Sequence, residues 1–85
     1  METFHYEVKM HLGVRISSLA ELSTFASRYE SSILGFTGEY KADLKSLLSV
    51  AALELVPGDL FTVIIDGKDE KMALAAIEKF FADLE

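Results

Sequence analysis

Six residues in this 85-residue chain carry functional groups placed where they could do chemistry: Arg15, Ser17 and Ser18 just after Gly13, Ser46 inside Asp43-Leu44-Lys45-Ser46-Leu47-Leu48, and the two histidines, His5 and His11. Arg15 beside Ser17 and Ser18 at a helix start offers a guanidinium, two hydroxyls and free backbone amides. All of these donate hydrogen bonds, so the group suits a phosphate or carboxylate, although a cation at a helix N-terminus also opposes the helix dipole. The plainer reading of Arg15 is a solvated loop residue. Ser46 precedes a short apolar run and can cap a helix through its hydroxyl, a role whose loss costs about 1 kcal/mol. His5 sits inside an alternating strand, and His11 in the loop ahead of Gly13. With no cysteine in the chain, disulfides, thiolate metal sites and thiol catalysis are excluded.

Those groups need elements to hold them. Phe4, Tyr6, Val8 and Met10 alternate with Thr3, His5, Glu7 and Lys9, the period of a strand with one buried face. Leu19, Leu22, Ala26 and Tyr29, with Phe25 beside them, recur at helical steps and predict an amphipathic helix that begins at Ser17 or Ser18. Ser18-x-x-Glu21 reads there as a capping box. Ile33 to Phe36 and Tyr40 to Ala42 read as short strands joined through Thr37-Gly38-Glu39. Ser46 opens a short helix through about Leu53 that presents Leu47, Leu48, Val50 and Ala51. Pro57-Gly58-Asp59 is a turn, and Leu60 to Ile65 an apolar strand of central position. Asp69 is expected to cap a last helix with Ala73, Leu74, Ile77, Phe80, Phe81 and Leu84 on one stripe. The order β-α-β-β-α-β-α predicts an α+β open-faced β-sandwich, a four-stranded antiparallel sheet covered by helices on one side, within a single domain over residues 1–85.

Composition narrows the function classes. Eight Lys and Arg stand against fourteen Asp and Glu, a formal charge of −6, which argues against phosphate-backbone binding and for protein partners. No apolar run approaches the about 18 residues of a membrane span, and the acidic start does not resemble a signal peptide, so a cytoplasmic protein is expected.

Asp43-Leu44-Lys45-Ser46-Leu47-Leu48 resembles the regulatory-serine segment of HPr, the small phosphocarrier of the bacterial sugar phosphotransferase system. The Gly13 turn, Gly58-Asp59 and Asp66-Gly67-Lys68-Asp69-Glu70 match the family at its spacing, over the whole chain. Where the family reads Gly-(Ile/Leu)-His-Ala-Arg-Pro, this chain reads Gly13-Val14-Arg15-Ile16-Ser17-Ser18. The resemblance implies the same open-faced sandwich, no cofactor and no metal. It also places Arg15 at the family's phosphoacceptor histidine, and a guanidinium has no lone pair with which to attack phosphorus. The chain therefore resembles Crh, the HPr-like regulator that lacks this histidine and is controlled through its serine.

From the resemblance follow a non-catalytic regulatory role in catabolite repression, phosphorylation of Ser46 by an HPr-kinase-like enzyme, and a partner surface of Arg15, Ile16, Ala20, Leu47, Leu48 and Ala51. The partner would be a transcriptional regulator or a metabolic enzyme, and the protein a monomer or homodimer. The family arginine that helps hold the regulator CcpA is replaced by Ser17, and the proline after it by Ser18. One of Leu47 and Leu48 is expected to be exposed, the competing reading being that Leu47 or Leu48 turns inward as core. Two alternatives stay open: a small anion or sugar-phosphate sensor built on Arg15, Ser17 and Ser18, and residual phosphotransfer through His11.

Overall fold

The structure, a computed structural model, describes residues 1–9, 16–53 and 55–84, except for the side chains of Ile16, Ser17 and Leu19. Its elements run β1 (Glu2–Glu7), α1 (Ile16–Ser27), β2 (Ser32–Thr37), β3 (Tyr40–Asp43), α2 (Leu47–Ala51), β4 (Leu60–Asp66) and α3 (Glu70–Asp83). All pairings are antiparallel and the sheet order is β1-β4-β2-β3, so β4 and β2 are the inner strands. This is the open-faced sandwich that the periodicities predict, with β4 in its expected central place.

The alternation of each strand decides which side the helices cover. Phe61, Val63 and Ile65 of β4 and Ile33 of β2 point to the helical side and are fully buried. Phe4 and Tyr6 join them from β1 and pack against the same core. From above, Ala73, Ile77, Phe80 and Phe81 of α3 and Leu22 and Ala26 of α1 close the core. Phe81 is its hub, with ring centroids 4.6 Å from Tyr6, 5.3 Å from Phe80, 5.7 Å from Phe4 and 5.9 Å from Phe61. Tilted and edge-on arrangements of this kind add a favourable quadrupole contact to the area buried. Gly35 stands in β2 because a β-carbon there would lie 2.4 Å from the Phe61 ring. The strand accepts glycine's backbone freedom in exchange for room.

Several local expectations change. Helix α1 already includes Ile16, which makes Ser18 a residue of its first turn. A capping serine must lie outside the helix, so the Ser18–Glu21 capping box does not form. Two adjacent serines give a sequence no means of choosing the register. Asp69 does stand at the N-cap of α3, but its carboxylate makes no cap bond. It accepts instead from the backbone amides of Glu30 and Ser31, each at 2.9 Å, and from the Ser31 hydroxyl, tying the start of α3 to the turn before β2. These donors, the Ser31 hydroxyl foremost, hold the Asp69 carboxyl below its ordinary value near 3.8.

Glu70 reaches back out of the helix instead, receiving the Gly67 amide at 3.1 Å and the terminal ammonium of Met1 at 2.7 Å. Gly67 is required here, because at φ 156° a β-carbon would come within 2.6 Å of the Ser31 backbone. Met10 of the expected first strand lies outside the described residues. Val8, beyond the end of β1, is nonetheless buried and exchanges backbone hydrogen bonds with Gly58 and Asp59. Helix α2 ends at Ala51, two residues short of the expected Leu53.

Candidate functional site

Residues 43 to 51 form the best-defined part of the predicted site, and their position follows from how tightly they are tied down before α2 begins. The Asp43 carboxylate accepts the Lys45 amide at 3.0 Å, and the Asp43 carbonyl accepts the Ser46 amide at 3.0 Å. Such a turn is what aspartate favours locally, its side chain mimicking a backbone acceptor. Leu44 drops into the core with no exposure, anchoring the turn from below.

Lys45 then fastens the segment to α1 from both ends of the residue. Its carbonyl accepts from Ser23 Oγ at 3.0 Å and Ser27 Oγ at 3.4 Å, and its ammonium donates to the Tyr29 carbonyl at 2.7 Å. A cation on the carbonyls past a helix C-terminus is the favourable sense of the helix dipole. The serines sit at i and i+4, on one face of α1. That spacing was visible in the sequence, but its target was not.

Ser46 caps α2 as predicted, although loosely: its Oγ accepts from the Ser49 amide at 3.4 Å, and the residue is half-buried. Of the five residues of α2 only Val50 is buried. Leu47 is 45% exposed and Leu48 84% exposed, so both stand outward and the competing reading, in which one turns into the core, does not hold. The reason is geometric. Leu44 before the helix and Val50 within it already fill the space beneath, and a five-residue helix has no second inward position. Ala51 is exposed and Ala20 on α1 is half-buried.

Arg15 and the loop histidine His11 lie outside the described residues, as do the side chains of Ile16 and Ser17. Ser18 is half-buried in the first turn of α1. The structure thus brings Ser46, Leu47, Leu48 and Ala51 together, and leaves the anion group of Arg15, Ser17 and Ser18 undescribed as a unit. His5 is on the uncovered side of the sheet, its Nδ1 3.0 Å from Thr62 Oγ1, away from Ser46. A cleft of about 780 Å³ opens at the far end of α2, between Tyr40, Leu53 and Leu60, and gathers none of the predicted site residues. Among the described residues no three His, Asp or Glu side chains converge as metal ligands would, and no helix is long and apolar enough to cross a membrane.

The family model of the phosphotransferase-system HPr component, named for its phosphorylation site, matches residues 2–83. The chain belongs to the HPr family. It is 32% identical over 84 residues to the phosphocarrier protein HPr of Lysinibacillus sphaericus, covering 99% of this chain and 96% of that one. The solved histidine-containing phosphocarrier protein of a Mycoplasma superposes with a TM-score of 0.91 at 26% identity, over 98% of this chain and 94% of the other. Crh of Bacillus subtilis, solved as a domain-swapped dimer, superposes with a TM-score of 0.76 over 98% of this chain and 95% of its own, and at 24% identity that likeness is one of fold. The HPr fold and family are therefore common ground between this chain and proteins named as phosphocarriers.

Proposed function

We propose that this HPr-family protein is a non-catalytic regulator that receives a phosphoryl group on Ser46 and docks through the surface around Leu47, Leu48, Ala51 and Ala20, to which the family resemblance adds Arg15 and Ile16. The observation that carries the reading is the pair of leucines exposed directly after a half-buried serine whose hydroxyl makes only a 3.4 Å capping contact. Exposed leucines on a short helix held rigidly from below are anchors a partner can bury without waiting for the segment to order. A phosphoryl group on Ser46 brings about −1.5 to −2 charges to the rim of that patch. The fold beneath depends on Leu44, Val50 and the Lys45 ties, so the modification changes what the patch attracts more than how the chain folds. The ammonium of the preceding residue, Lys45, is already committed to the Tyr29 carbonyl, and the chain as a whole is acidic. A phosphoryl group there favours partners that supply their own basic residues.

Arg15 stands where the family resemblance places the phosphoacceptor histidine, and a protonated guanidinium cannot serve as that nucleophile. The test has two arms. With ATP and an HPr kinase, label is expected in the wild type and none in Ser46→Ala; label elsewhere in the variant defeats the assignment. With phosphoenolpyruvate and the first enzyme of the phosphotransferase system, no acid-labile phosphohistidine is expected. Its appearance on His11 would restore a carrier role.

A further inference from the structure

The side of the sheet that no helix covers is apolar at its centre. Pairing fixes the neighbours: Leu34 lies beside Ile64 and Phe36 beside Thr62 across the β2–β4 ladder, and on β3 Asp43 pairs with Leu34 and Lys41 with Phe36. Leu60, on the same side of β4, is 58% exposed. Leu34, Phe36 and Ile64 are half-buried, yet none is among the half-buried residues that pack against the core. They shield one another. A solvated sheet face alternates to polar residues, and here both inner strands keep apolar ones.

We propose that this face is a homodimer interface, two copies stacking sheet on sheet about a two-fold axis that crosses the strands between the Leu34–Ile64 row and the Phe36–Thr62 row. The argument for a second copy is self-complementarity. That axis exchanges the two rows, so Leu34 of one copy meets Phe36 of the other, Ile64 meets the methyl-bearing Thr62, and on the edge strand Asp43 meets Lys41. The axis makes each of these contacts twice, and at the rim it sets Leu60 against the stem of Asp66. Opposite charges stand two residues apart on β3, the spacing that puts them on one side of the strand and across the axis from each other. Asp43 uses one carboxylate oxygen on the Lys45 amide, which leaves the other for the partner copy. Four strands about 4.8 Å apart and about six residues long give a face of roughly 20 by 20 Å. That is small for a permanent dimer, so association is concentration-dependent, with a dissociation constant in the micromolar range.

Sedimentation equilibrium of the wild type from about 5 to about 500 µM is expected to show monomer passing to dimer. Phe36→Glu, and independently Ile64→Thr should the first fail to fold, should remain monomeric with unchanged circular dichroism. Lys41→Asp and Asp43→Lys each create like-charge contacts, and the axis counts each change twice, so each should weaken the dimer roughly tenfold. The double variant restores opposite signs and should recover most of the affinity. A wild type that stays monomeric throughout overturns the proposal. So does a dimer that survives Phe36→Glu, as one built by strand exchange would, or a double variant no tighter than the singles, which would leave the face to a different protein.

Discussion

Helices α3 and α2 are both mostly apolar and use those residues in opposite ways. Over 14 residues α3 buries Ala73, Ile77, Phe80 and Phe81 against the sheet. In five residues α2 buries Val50 alone and holds Leu47 and Leu48 out in solvent, on a base tied to α1 by both the carbonyl and the ammonium of Lys45. Apolar residues that complete the core report on folding. Those kept outside by a rigid support add nothing to the core, and the contrast separates folding residues from the surface proposed for docking.

The sharpest way to break that contrast is at the hub. Phe81→Ala removes a ring that touches four others, and is expected to cost about 3–5 kcal/mol in urea unfolding, a large share of the roughly 5–15 kcal/mol a domain has. A cost below about 1 kcal/mol would mean that α3 is not the folding helix. A middle-sized effect belongs to Asp69, which ties α3 to the buried Ser31. Its carboxyl lies below its ordinary value in the fold, so its contribution is complete well above pH 4 and disappears as the pH falls through the folded-state value. Asp69→Asn is therefore expected to be less stable than wild type at pH 7, and to lose less stability on acidification to pH 2. Glu70, lowered for the same kind of reason, keeps part of the slope. Parallel pH profiles for the two proteins would show that the Ser31 contact contributes nothing. Smallest of all is Leu48→Ser, expected to leave unfolding within about 0.5 kcal/mol of wild type. A loss above 2 kcal/mol would place Leu48 in the core and remove it from the proposed docking surface.

Periodicity found the strands and helices because each has one side in a core, and burial on one side writes a period of two or of about 3.6 into the residues. It placed Ser46 at a cap for the same local reason. Where two residues satisfied the local rule equally, as Ser17 and Ser18 did for α1, the start of the helix could not be chosen. Asp69 shows a second kind of failure. An aspartate before a helix reads as a cap, yet its strongest donors come from Glu30 and Ser31, almost forty positions earlier, and no local rule reaches that far. For Leu47 and Leu48 the pattern offered two inward candidates on a short helix. Neither was needed, because Leu44 and Val50 had already filled the space.

The chain alone determined the family, the element order and the presence of a guanidinium at position 15, since these are properties of residue type and spacing. Which surfaces are left over was decided only in three dimensions. The outward leucines of α2, the double anchoring of Lys45 and the apolar rows on the uncovered sheet all depend on which neighbours reach a given volume first, and that competition between distant segments is settled by packing.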